Sequence, residues 1–150
     1  MIITSFGHSD FNKANVFENI VLSILSEIAK YEKIEFLIGG YGSFDAFFYQ
    51  CCMKFKKIHS NAKVVFVTPY ITEDYQKKRL ASYKNSYDEI VYPNLEKVPY
   101  RFAICHRNKW MVEQADYIIA YINHEWGGAY QAYKYAIRKG KKVFNLGRQE

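Results

Sequence analysis

The chain is short of three things that would set its class at once. Three cysteines in 150 residues, two adjacent at Cys51 and Cys52 and the third at Cys105 without a CxxC partner, make neither a disulfide framework nor a zinc site. All three are expected to be reduced thiols in or near the core. No stretch approaches the ~20 consecutive apolar residues of a membrane span. Residues 1–6 run straight into a strand pattern with no basic region followed by an apolar one, so no secretory leader and no membrane partner are expected, and a soluble cytoplasmic protein is. Only three prolines interrupt regular structure, and Pro93 and Pro99 frame the longest irregular connection. No repeat, low-complexity tract or linker is present. What the chain has is a 49% apolar, 24% charged composition, enough for one globular domain over residues 1–150 with a full core. Its formal charge of +6 favours anionic ligands. The basic concentrations at 54–57, 77–79 and 138–142 read as solvated helix ends more readily than as a nucleic-acid face.

Short β-type runs alternate with longer helical ones. Residues 2–6, 35–39, 63–68, 89–92, 116–122 and 142–146 are candidate strands, several of them nearly continuous apolar runs suited to a sheet buried on both faces. Between the first two, Phe17, Ile20, Val21, Ile24, Leu25 and Ile28 form one helical stripe; Phe44, Phe47, Phe48, Cys51, Cys52 and Phe55 form another. Ser43 is expected to cap that second helix with its hydroxyl. Such alternation predicts right-handed βαβ units: an α/β, doubly wound, mostly parallel sheet with helices on both faces. In that fold the ligand lies at the carboxyl ends of the strands, near the switch in strand order.

Three loops in those positions look equipped for binding. The first carries Gly7, His8 and Ser9. The second, Gly39, Gly40, Tyr41, Gly42 and Ser43, leads directly into a helix, the geometry in which backbone N–H groups cradle phosphate; its spacing matches neither a P-loop nor GxGxxG. The third mixes Asn123, Glu125 and Trp126 with Gly127 and Gly128. Before it, Ile104, Arg107, Asn108, Met111 and Ala115 share one helical face, so Arg107 points inward with apolar residues. A guanidinium so placed suits a phosphate or carboxylate; the alternative is that it snorkels or pairs with a neighbouring acid.

The run from Arg107 through Met111 and Asp116 to Gly127-Gly128 resembles the SLOG superfamily, which includes the Lonely Guy phosphoribohydrolases, the DprA/Smf proteins and the YpsA-like proteins. Lonely Guy enzymes carry H-x-R-K-x-x-x-M, an Asp-led apolar strand, then P-G-G-x-G-T-x-x-E. Here Arg107, Met111 and Asp116 keep that mutual spacing, but His106 abuts Arg107, and Lys134 or Ala132 falls where the catalytic glutamate stands. Gly-His-Ser after the first strand and Gly-Gly-x-Gly-x-Phe-Asp after the second are closer to YpsA-like members. Nucleoside deoxyribosyltransferases are more distantly similar. The resemblance implies a Rossmann-like fold that binds a nucleotide-derived molecule.

Two functions are weighed on this basis. The first is a sensor, carrier or sequestering protein for a nucleotide, cyclic nucleotide or ADP-ribose-like molecule, with glycine N–H donors, Arg107 as clamp and Tyr41 or Trp126 against the base. The alternative is a Lonely Guy-like N-glycosidase on nucleoside monophosphates, for which Asp45 and Glu125 are the candidate carboxylates and His8 a candidate base. No cofactor and no metal are expected. A homodimer or larger homo-oligomer is. Single-stranded DNA binding suits the basic, tyrosine-rich composition but ranks last, since the 14 tyrosines are scattered along the chain. Nucleic acid is therefore not the expected partner.

Overall fold

A computed structural model of the chain describes residues 1–30 and 32–148. Among the described residues six strands form one sheet: β1 (Ile2–Gly7), β2 (Ile34–Ile38), β3 (Ala62–Val67), β4 (Glu89–Val91), β5 (Tyr117–Tyr121) and β6 (Lys142–Asn145), in the order β4-β3-β2-β1-β5-β6. Every pairing is parallel. The expected α/β, Rossmann-like, doubly wound sheet is thus the observed one, and all six strand segments read from the sequence are present.

Side-chain alternation distributes the core between the two faces of the sheet. Ile3, Phe36, Ile38, Val64 and Ile119 meet the buried stripes of α1 (Ala14–Ala29) and α2 (Ser43–Ile58) on one face. Phe6, Leu37, Val65, Val67 and Ile118 meet α5 (Ala103–Gln114) and α6 (Gly128–Arg138) on the other. The phenylalanine stripe of α2 is buried at every position read from its periodicity, and Phe36 lies edge-on to Phe48 and Phe55 with ring centres 6.0 and 5.9 Å apart. Between β3 and β4 the short helices α3 (Glu73–Tyr75) and α4 (Ala81–Tyr83) flank a π-helical turn, Gln76–Leu80.

Two local expectations are corrected. Ser43 does not cap α2: Gly42, at φ 92°, takes the cap position, and the Ser43 hydroxyl instead donates to Ser9 O at 2.7 Å, joining the second loop to the first. Cys51 and Cys52 are buried, and burial pushes the Cys51 thiol up to about 12, but Cys105 is exposed rather than near the core. Among the described residues no helix is long and apolar enough to cross a membrane.

The connections decide where a site can form. From β1 the chain steps through β2 and β3 to β4 on one side, then returns to place β5 and β6 on the other side of β1. The loops after β1 and β5 therefore diverge, leaving a crevice between the carboxyl ends of these two strands.

Candidate functional site

That crevice is a cleft of about 740 Å³ whose walls include Gly7, His8, Ser9, Tyr41, Arg107, Asn123, Trp126, Gly127 and Gly128. Nine of the expected binding residues thus come together from three loops and one helix. Gly39 and Gly40 do not line it. They form part of a neighbouring hollow of about 310 Å³, together with Tyr70, Tyr75, Tyr83, Tyr100, Lys78 and Arg79. Tyr41, Ile104 and Arg107 border both spaces, so the two hollows adjoin across this ridge. Gly42 packs against Ser9, where an added Cβ would lie 2.8 Å from the Ser9 Cα, and Ser43 is spent on Ser9 O. These two residues shape the loop rather than face the cleft.

The glycines divide by physical role. A Cβ at Gly7 would fall 2.2 Å from the Phe44 ring, so this glycine is required by packing, not by a ligand's approach. Around Gly127, φ 93°, and Gly128 an added Cβ would meet nothing within 4 Å. Among the described residues, this is the glycine pair that leaves open space above a helix N-terminus, where backbone N–H groups lack intrahelical partners.

Arg107 is 1% exposed and its contacts are specific. Nη1 donates to Gly39 O at 3.0 Å and Val67 O at 2.8 Å, and Nε donates to Asn108 Oδ1 at 2.9 Å. The guanidinium therefore ties the carboxyl ends of β2 and β3 together beneath the ridge. Burial lowers its pKa, while the nearby Asp45 charge raises it. The inward placement read from helical periodicity is correct; its fork is occupied largely by carbonyls.

Asp45 and Glu125, the two carboxylates considered for catalysis, do not share a site. Asp45 borders the cleft, whereas Glu125 lies on a separate depression beside Lys13 and Arg148. Asp45 Oδ2 accepts the Tyr41 N–H at 2.8 Å, which orders the glycine loop. Burial pushes its carboxyl up to about 6, against the opposing pull of the Tyr41 N–H and of Arg107. A proton held more tightly in the folded than in the unfolded chain stabilises the fold below the ordinary carboxyl value of 3.8, and that contribution is lost as pH rises through about 6. The loss should amount to about 3 kcal/mol. Asp45→Asn keeps an acceptor for Tyr41 and removes the titration, so urea unfolding should show the variant gaining on the native chain as pH rises across this window. A stability difference independent of pH would show that Asp45 carries no such penalty.

His8 is buried, and its Nε2 accepts the Asn123 N–H at 3.1 Å. Burial lowers its pKa, His124 lowers it further, and Asp10 opposes both. With that lone pair engaged, His8 is not free to act as the base considered from the sequence. It anchors a column of rings instead: His8 stacks on His124 at 3.4 Å between centres, and His124 on Trp126 at 3.5 Å. Trp126 remains 67% exposed. On the far side of the ridge Tyr70 stacks on Tyr100 at 4.4 Å. Tyr100 is 67% exposed and Tyr41, between the two hollows, 65%.

Sequence reasoning missed several of these residues. Ser5 borders the cleft floor with a buried hydroxyl that has no hydrogen-bond partner among the described residues; a lone serine in an apolar strand was the available signal. Tyr70, Tyr75, Tyr83 and Tyr100 had none, because they converge from separate segments.

No family model matches the sequence, and no curated protein matches it. Solved structures do resemble the fold, two of them as follows. DNA processing protein A from Streptococcus pneumoniae superposes with a TM-score of 0.66 at 16% identity, over 95% of this chain and 49% of that one. DNA processing protein A from Helicobacter pylori, in a structure described as giving insight into its unique single-stranded DNA binding mode, superposes with a TM-score of 0.66 at 14% identity, over 99% of this chain and 66% of that one. The chain thus spans half to two-thirds of the proteins it resembles. These neighbours, with the gathered tyrosines, correct two expectations: a nucleotide-derived small molecule, bound or cleaved, as the ligand, and nucleic acid as an improbable partner. The likeness to these two structures does not bear out the Lonely Guy and YpsA-like details read from the sequence. What the likeness establishes is the architecture, a Rossmann-like α/β domain of the kind found in DNA processing protein A.

Proposed function

We propose that this chain binds single-stranded nucleic acid, DNA in the first instance, across the carboxyl edge of its sheet. The observation that carries this reading is the row of exposed aromatic rings, Trp126, Tyr41 and Tyr100, placed in and between two adjoining hollows. Unpaired bases stack on such rings whatever their identity, because every base offers a π-face. Arg79 beside the tyrosine hollow, and the free N–H groups above Gly127 and Gly128, suit the phosphates between them. The single-stranded DNA binding described for the Helicobacter pylori neighbour supports the same reading.

Fluorescence anisotropy with an oligothymidylate of roughly 15 nucleotides, near the upper end of common site sizes, tests it. The oligonucleotide should bind with an affinity that falls steeply with salt, and thymidine monophosphate should compete at least about a hundredfold less well. Gly128→Val should cost about tenfold or more, since a branched side chain fills space the fold leaves open without straining the helix start. Competition by the mononucleotide as strong as by the oligonucleotide would overturn the proposal.

A further inference from the structure

We propose that the outer surface of α5 and α6 is a second phosphate-contacting face, over which the backbone of a strand held in the cleft continues. This rests on the nucleic-acid reading of the cleft and extends it to a surface outside the cleft.

The charges of the chain are segregated. Residues 1–102 carry 13 Lys and Arg against 11 Asp and Glu, whereas residues 103–150 carry 8 against 4. In the first part many cations are neutralised locally: Lys54 pairs with Glu18, Lys56 with Asp88, Lys63 with Glu89, Lys77 with Glu73 and Lys78 with Asp74. Among the described residues Lys109, Lys134, Arg138 and Lys139 pair with no carboxylate within 4.0 Å.

These four cations are gathered on tyrosine rings. The charged groups of Lys109, Arg138 and Lys139 each lie 5.5 Å from the centre of the Tyr135 ring, and Lys134 lies 5.5 Å from that of Tyr130. Lys109 comes from α5 and the others from α6 or its end, so only the packing of the two helices brings them together. Three charges so placed are separated by at most about 11 Å, close to the ~10 Å Debye length at 0.1 M salt. They repel one another. A ring face holds a cation in position without cancelling its charge, and the nearby Glu113 accepts the Tyr135 hydroxyl at 2.5 Å. A polyanion relieves this repulsion and releases counter-ions as it binds.

Position identifies which polyanion. Tyr130 follows Gly127, Gly128 and Ala129 of the cleft wall directly, and Lys134 and Arg138 succeed it at one-turn spacing on the same line of the helix. That line extends about 12 Å from the cleft rim. A flexible strand leaving the cleft beside Trp126 meets it without turning back.

Binding of the full chain to oligothymidylates of about 4 and about 15 nucleotides separates the two surfaces. Combined K134Q, R138Q and K139Q should leave the short oligonucleotide within twofold of its native affinity and weaken the long one about tenfold or more. The slope of log affinity against log salt for the long one should flatten by about 2, three phosphate contacts at ~0.7 each. Circular dichroism should show the fold intact, as the three side chains are exposed. No effect on the long oligonucleotide, or an equal effect on both lengths, would overturn the proposal. So would loss of binding to phosphatidylserine vesicles in the triple variant with long-oligonucleotide affinity retained, which would assign the patch to a lipid surface. Failure of the cleft reading is distinct: alanine at Trp126 and Tyr100 would then leave both lengths bound as before, whatever the patch variant does.

Discussion

Replacing Trp126 and Tyr100 together by alanine is expected to weaken binding of a single-stranded oligonucleotide by about 2–6 kcal/mol, the sum of ~1–3 kcal/mol for each base stacked on an aromatic ring. The two rings lie in different hollows and have different stacking partners, His124 and Tyr70, so the single substitutions should add. Each ring is about two-thirds exposed, and thermal unfolding should therefore move little. Replacement by phenylalanine should restore most of the affinity, because a flat face and not a hydrogen bond is what the base needs. Titration of the native chain and these variants with one labelled oligonucleotide gives the answer. Full affinity in the double alanine variant would remove the aromatic row from the binding surface and with it the main support for the proposed function.

Arg107→Ala should destabilise the fold by about 3–5 kcal/mol, a large share of the ~5–15 kcal/mol that holds a domain together. The guanidinium is the donor to Gly39 O and Val67 O; without it two buried carbonyls at the ends of β2 and β3 lose their partner. The loss also takes away the positive charge that counters the burial of the Asp45 carboxyl. Lysine at this position keeps a charge but replaces a planar fork by one flexible ammonium. Arg107→Lys should recover only part of the stability. Urea midpoints for the native chain and both variants, with slopes unchanged, measure these differences. An alanine variant as stable as the native chain would mean that the strand ends are held by something other than Arg107. The expectation also changes how a binding defect at this residue is read: reduced affinity in an Arg107 variant reports a loosened ridge as well as any lost phosphate contact, whereas Gly128→Val reports the cleft alone.

Six strands, the parallel α/β architecture and the buried stripe of α2 could be read from residue order, because a strand buried on both faces and a helix buried on one leave their periods in the chain. The same reasoning placed Arg107 on the inner face of its helix and placed three loops at the carboxyl edge. It did not reveal what those loops do with their residues. Ser43 reads as a cap, yet its hydroxyl turns to Ser9 O. Gly7 reads as a ligand contact, yet Phe44 occupies the space beside it. His8 reads as a base, yet its lone pair is taken by the Asn123 N–H. Each of these depends on a partner more than 30 positions away, and spacing along the chain carries no record of it. The ligand class depended on the same kind of information. Tyrosines at 41, 70, 75, 83 and 100 look scattered because they sit on different loops and short helices; they become one surface only when β2, β3 and the turn before α5 are brought to a common edge. Local periodicity determined the elements and their buried faces, while tertiary packing alone decided which side chains remain free to meet a ligand.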